Sequence, residues 1–217
     1  MATQGIAAVL LILGASVVVY VYHFRMNRMT PGERERVTDW RFYEFIDWYL
    51  QISTIVIGVT AIVSSHPALL EFHDNPWLLA LGLLIAGGGL SLFCFAMRNL
   101  DRQYTPAHAA HLPTQIVTTG PYRYIRHPVY TANLLMTAGV LLASGSLWML
   151  LNLAILCVYY QVAMHSEETS IASRYPEYRE YIARTGRIFP RLSLILGLDH
   201  GPQTALAQAK AVNHNDH

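Results

Sequence analysis

Two short polar runs hold most of the groups able to do chemistry, and they flank a long apolar stretch. The first, Thr114 to Tyr130, contains Arg123, Arg126 and His127, with Gly120-Pro121 marking a turn. His127-Pro128 puts proline in the first turn of a following helix, where its missing N–H costs nothing. That helix therefore starts with free backbone donors and a partial positive charge beside Arg126 and His127, a place that attracts a carboxylate or a phosphate. The same residues would also serve as plain interface anchors, with His127 as a helix cap. The second run is His165-Ser166-Glu167-Glu168-Thr169, followed by Tyr175-Pro176-Glu177-Tyr178-Arg179-Glu180-Tyr181. Two adjacent carboxylates at the C-terminal end of an apolar helix meet a macrodipole that is already negative there. Either a bound cation or a nearby arginine (Arg123, Arg126 or Arg174) should offset them. Tyr178 and Tyr181 share a face at i, i+3 and either wall a pocket or pack on the hairpin.

Together the runs present a positive helix start, an anionic pair and several tyrosines. A ligand zwitterionic at one end, cationic in the middle and aromatic at the other suits that set, and S-adenosylmethionine has this character. Arg126 and His127 would meet its carboxylate end and Glu167 its cationic or hydroxyl groups. If the second substrate is an amine a base is needed, and Glu168 or His165 is nearest in sequence; a carboxylate acceptor needs none. Competing readings are a nicotinamide-dependent membrane reductase, for which no extra basic cluster is present, and a non-catalytic membrane module.

The elements that must position these groups follow from where charge is missing. The chain has 217 residues, 53% hydrophobic and 13% charged, against roughly a quarter charged in a soluble domain. Met1–Phe24, Trp48–Leu70, Asn75–Met97 and His127–Ser166 contain no Asp, Glu, Lys or Arg. The last gap, the longest, is divided by Ser144-Gly145-Ser146 and reads as a helical hairpin. The expectation is an all-α polytopic membrane bundle of about five transmembrane helices, near 6–22, 49–69, 77–97, 128–143 and 147–166. The first reads as a retained helix, since no Lys or Arg precedes it and no small-residue cleavage site follows. A cytoplasmic C-terminal helix follows the hairpin, and Met29–Asp47 reads as an amphipathic surface helix. All 15 Lys and Arg residues fall in the segments after helix one, after helix three and after helix five. The positive-inside rule then puts the N-terminus outside and the C-terminus, with the site, in the cytoplasm. Trp48, Trp77 and Trp148 fit interfacial anchors.

The same composition excludes other classes. A net charge of +1 with one lysine offers no surface for nucleic acid, and the apolar content excludes disorder. Cys94 and Cys157 lie in apolar runs, so neither a disulfide nor a metal site is expected. Gly87-Gly88-Gly89 reads as a close helix-packing surface. Residues 1–198 are expected to form one domain, 96–190 its cofactor-binding core, and the polar 199–217 a disordered tail.

Ile116-Val-Thr-Thr-Gly-Pro-Tyr-Arg-Tyr-Ile-Arg-His-Pro-Val-Tyr130, an apolar hairpin, Glu167-Glu168, then Tyr175-Pro-Glu-Tyr178 and Arg184-Thr-Gly-Arg-Ile-Phe-Pro190 form a specific combination. It resembles the isoprenylcysteine carboxyl methyltransferase and phospholipid methyltransferase superfamily of integral membrane enzymes. Arg98-Asn-Leu-Asp-Arg-Gln-Tyr104 is similar to that family's basic segment, and the likeness covers about Met97 to Pro190. The resemblance implies a cytosol-facing S-adenosylmethionine site built from Thr114, Gln115, Ile116, Val117, Tyr122, His127, Pro128, Tyr130 and Glu167. It also implies a tunnel through which a lipophilic acceptor arrives from the bilayer. Tyr122 and Tyr130 would lie against the adenosyl or sulfonium region. Ala163 stands where isoprenylcysteine methyltransferases place an arginine on the substrate carboxylate, and Tyr175-Pro176 replaces a Phe-Gly pair. The acceptor group is thereby left open among carboxyl, amine and hydroxyl, and the oligomeric state is not legible.

Overall fold

Asn75 and Pro76 show how local chemistry starts a helix in this chain. Asn75 Oδ1 accepts the Trp77 N–H at 2.9 Å, its carbonyl accepts the Leu79 N–H at 3.1 Å, and Pro76 takes the first helical position. The computed structural model describes residues 12–22, 41–63, 75–100 and 115–191. Thr114 and residues 23–40, 64–74 and 199–217 lie outside the described residues. Six α-helices are described: α1 (Ile12–Tyr22), α2 (Arg41–Val63), α3 (Pro76–Leu100), α4 (Pro128–Ser144), α5 (Leu147–Arg174) and α6 (Tyr178–Arg184). A 3₁₀ turn, Gly120–Arg123, precedes α4. The described residues contain no strand, only an isolated parallel bridge between Ile125 and Gly186.

Two helices, α3 and α5, are long and apolar enough to cross a membrane. At 25 and 28 residues they reach roughly 38 and 42 Å at 1.5 Å per residue, more than the roughly 30 Å of a hydrocarbon core. Their outer faces are apolar: Leu81, Leu84 and Phe95 on α3, and Leu150, Leu151 and Val158 on α5, are all exposed. The apolar helices Ile12–Tyr22 and Pro128–Ser144, and the Trp48–Thr60 stretch of α2, are shorter. Each overlaps an expected span.

Two boundaries differ from the sequence expectation. Helix α2 begins at Arg41, inside the segment read as a surface helix, because no proline or glycine interrupts the chain between Trp40 and Gly58. Helix α5 runs past Ser166 to Arg174 and stops at Tyr175, which is extended (φ −122, ψ 95) because the following Pro176 crowds the helical region for the residue before it. The glycine triplet is also used differently. Only Gly89 enters a close contact, whereas Gly87 and Gly88 face open space.

The seam between α3 and α4 is the tightest packing in the fold. Gly82, Ala86 and Gly89 lie against Ala132, Gly139 and Ala143, and a Cβ added at Gly82 would sit 2.5 Å from the Ala143 nitrogen and the Gly139 oxygen. Lipid is as apolar as any side chain, so close backbone approach of this kind is what holds membrane helices together. The pairing is antiparallel: the start of α3 meets the end of α4, and Asn99 near its end lies beside Gly120 (φ 57). Gly145, in the left-handed region at φ 63, caps α4 by donating to the Leu141 carbonyl at 2.9 Å and lets α5 turn back at once. The 3₁₀ turn, the start of α4, the polar end of α5 and α6 consequently share one end of the bundle.

Candidate functional site

The hairpin sets the first turn of α4 opposite Glu167 and Glu168 on α5. Because α5 continues beyond them, the two carboxylates are not at a helix terminus; what offsets Glu168 is a set of three cationic or potentially cationic side chains. Arg126 Nε donates to Glu168 Oε1 at 2.9 Å, His127 Nε2 lies 2.9 Å from the same oxygen, and Arg187 Nη2 stands 3.3 Å from Oε2. Burial pushes the Glu168 carboxyl up, but the hydrogen bonds from His127 and Arg126 outweigh it and hold its pKa at about 2. Glu168, beyond the uncharged Leu147–Met164 stretch of α5, is thus an ionised acceptor, so His127 Nε2 must carry the proton it shares.

Glu167 is placed differently. Its Oε2 accepts from the Tyr130 hydroxyl at 3.0 Å and lies 3.7 Å from His127 Nδ1, while 37% of its side chain is exposed against 15% for Glu168. The His127 ring stacks on Tyr130 at 5.4 Å, and Tyr130 stacks in turn on Tyr160 at 4.5 Å. Tyr122 is buried beside this group, and its hydroxyl has no hydrogen-bond partner among the described residues. Burial, and then the Glu167 charge, push its phenol well above the usual tyrosine range. The Arg187 Nε is the other buried polar atom of this site without a partner.

A strap made of the chain after α6 closes the site. Gly186 N–H donates to the Tyr124 carbonyl (3.1 Å), Arg126 N–H to Gly186 (2.8 Å) and His127 N–H to Arg187 (3.1 Å). Thr131 Oγ1 donates to the Ile188 carbonyl at 3.0 Å. Arg126 Nη1 completes the stitching on the Ile182 and Thr185 carbonyls, so Nε and Nη1 of its guanidinium, with only 8% of the side chain exposed, are both engaged inside the protein. Tyr181, its phenol raised by burial, donates to the Tyr122 carbonyl at 2.6 Å and fixes the 3₁₀ turn to α6.

The structure therefore brings Arg126, His127, Tyr130, Glu167 and Glu168 into one cluster, with Tyr122 alongside and Pro128 fully buried at the helix start. Ile116 packs on Ile171, Tyr178 and Tyr181, which makes those tyrosines packing residues; Val117 is half-buried and Gln115 exposed. His165 is exposed on α5 and makes none of the cluster's contacts. Arg174, one of the expected counter-charges, is exposed, and Arg123 lies over the Tyr124 ring at 5.9 Å. Arg187, Tyr160 and Asn133 were not singled out from sequence. Arg187 stands in the quoted Arg184–Pro190 run, but nothing local tells it from the neighbouring arginines.

Among the described residues, no group of three or more His, Cys, Asp or Glu could hold a metal ion. Residues 77–178 match the phospholipid methyltransferase family. The chain is 28% identical over 149 residues to a nickel-cobalt-cadmium resistance protein, NccN, of Alcaligenes xylosoxydans xylosoxydans, covering 68% of this chain and 64% of that one. It is 35% identical over 125 residues to a cobalt-zinc-cadmium resistance protein, CzcN, of Cupriavidus metallidurans, covering 57% and 54%. It spans less than two thirds of the length of either relative. The matched region contains the α3–α4 seam, the hairpin and both glutamates, and residues 77–178 are accordingly a phospholipid methyltransferase domain, part of the integral membrane methyltransferase superfamily.

Proposed function

We propose that the protein is an S-adenosylmethionine-dependent methyltransferase of the cytoplasmic membrane face, acting on a lipophilic or amphipathic acceptor. The observation that carries this reading is the polar chemistry around Glu167: a half-open carboxylate held by Tyr130 and His127, with Tyr122 alongside, whose hydroxyl has no partner among the described residues. Those groups suit a molecule with carboxylate, ammonium, sulfonium and hydroxyl functions, and the family match supports it. We also propose five membrane helices with the N-terminus outside and the C-terminus cytoplasmic, from the placement of the Lys and Arg residues.

The donor supplies a methyl group on a sulfonium, an already activated leaving group. The protein's contribution is alignment and exclusion of water. Glu167 holds the cationic or hydroxyl part of the donor, with Tyr130 fixing the carboxylate's orientation. Arg126 and His127 hold Glu168 at the start of α4; Arg187, whose Nη1 and Nη2 hold Gln161 and Glu168, has its Nε left to meet the donor's carboxylate. Glu168, held ionised by its partners, positions Arg126 and His127 and is a poor base. Glu167 is the carboxylate left to receive a proton if the acceptor has one to lose.

S-adenosylhomocysteine should raise the melting temperature of the detergent-solubilised protein, and Glu167→Gln should abolish that rise while leaving the unliganded melting temperature within a few degrees. Stabilisation by NADPH and not by S-adenosylhomocysteine would replace the reading with a reductase. No stabilisation by either would leave a non-catalytic module.

A further inference from the structure

A cavity of about 570 Å³ lies among α1, α2, α4 and α5, with Ala86 of α3 on its wall. Among the described residues, its lining contains no Asp, Glu, Lys, Arg or His. Most of it is Ile, Leu, Val and Ala, but Gln51, Asn133, Thr137, Asn152 and Tyr160 bring neutral hydrogen-bonding groups to it. Three of these are already organised: Asn133 Nδ2 donates to the Tyr160 hydroxyl at 2.8 Å, and Asn152 Nδ2 donates to Ser53 Oγ at 2.8 Å.

The cavity and the rim site share a wall. Tyr160 lines the cavity, stacks on Tyr130 at 4.5 Å, and Tyr130 holds Glu167. A molecule in the cavity therefore ends one aromatic layer from the carboxylate assigned to the methyl donor. Its chemistry follows from what the lining lacks. A carboxylate or an ammonium taken into this space would be desolvated with no opposite charge among the described lining residues to meet it. A hydroxyl, phenol or amide needs only the neutral partners that Asn133 and Tyr160 provide. The volume falls in the range of pockets that enclose drug-sized molecules.

We propose that this cavity holds the methyl acceptor and that the acceptor is an uncharged amphiphile, with an apolar body in the cavity and one neutral protic head read by the Asn133–Tyr160 pair. The assignment of the cavity to an acceptor rests on the methyltransferase reading; the preference for an uncharged occupant does not. For a hydroxyl head the step balances: an O–C bond forms as the donor's S–C bond breaks, the electron pair of that bond stays on sulfur, and the hydroxyl proton passes to Glu167.

The test uses the full-length protein in lipid nanodiscs with 1-dodecanol, dodecanoate and dodecylammonium at pH 7, read by thermal unfolding. Dodecanol should stabilise at a concentration at least tenfold below either charged analogue. Thr137→Trp, which fills the cavity, should abolish that effect, and Asn133→Leu should weaken it about tenfold. Equal stabilisation by all three heads, a preference for a charged head, or an unchanged response of Thr137→Trp would overturn the proposal. S-adenosylhomocysteine is added to the same samples to separate the two readings. Stabilisation of Thr137→Trp by it shows the variant folded, and dodecanol binding without it would leave the cavity assignment standing while the methyltransferase reading falls. Should Thr137→Trp fail to fold, Val140→Phe is the second cavity-filling variant, judged by the same loss.

Discussion

Helix α4 has two faces that do opposite things. One, Ala132, Gly139 and Ala143, meets Gly82, Ala86 and Gly89 of α3 so closely that backbone touches backbone. The other, Asn133, Thr137 and Val140, borders a cavity and carries the hydrogen-bonding groups. The two stripes are offset by a single residue, about 100° of helix rotation. One face is closed so that the other can stay open: a rigid backing is what keeps a cavity of this size from collapsing when the helix cannot lean away from it. The rim repeats the division with its two glutamates, Glu168 locked among cations and Glu167 left half exposed.

Breaking the closed face should have the largest effect. A Cβ at Gly139 would already sit 2.5 Å from the Ala86 nitrogen and the Gly82 oxygen, so Gly139→Leu should cost at least ~3 kcal/mol, the upper range of overpacking, and abolish folded protein in a solubilised unfolding assay. Next comes Glu168→Ala, which leaves Arg126 buried without its counter-charge and should cost about 3 kcal/mol together with loss of S-adenosylhomocysteine binding. Both would be measured by denaturation and calorimetry, and a Glu168→Ala protein that bound normally would show that the strap does not need its anchor.

Smaller effects sharpen the contrast between the glutamates. Tyr130→Phe removes one hydrogen bond to a carboxylate, worth about 1.5–3 kcal/mol, and should lower stability by no more than that amount while weakening S-adenosylhomocysteine binding roughly tenfold or more. The pH dependence is smaller again. The Glu168 pKa is depressed from 4.5 to about 2 on folding, so its stabilising contribution is complete above the ordinary carboxyl range and is lost as pH falls through about 2. Glu168→Gln should therefore flatten the acid limb of the stability profile below about pH 4.5, and an unchanged limb would put the acid sensitivity elsewhere. Smallest of all, Gly87→Ala, on the side of α3 facing open space, should change stability by no more than ~1 kcal/mol, the helix-propensity difference.

What could be read from sequence follows the same division. Charge gaps locate helices because burial of charge in lipid is costly, and the hairpin turn is legible because Gly145 must adopt a positive φ. Arg126 and His127 could be paired with Glu167 and Glu168 because each pair stands at one end of the same uncharged stretch. The scan for charges passes over neutral polar residues, so Asn133 and Tyr160 are hidden inside a stretch that counts as apolar. Arg187 was out of reach for another reason. Its place is set by backbone pairing of Gly186 with Ile125, which stand on either side of α4, α5 and α6 in the chain, and no periodicity encodes such a pairing.

The strap has a consequence in time as well as in space. Of the described residues, Gly186 to Arg191 leave the ribosome last, after the hairpin whose base they tie. During synthesis α4 and α5 can pair as soon as both have formed, but Glu168 lacks its Arg187 partner and the backbone clasp until the chain has passed α6. A chain released at Arg184 would hold the hairpin, yet have no clasp.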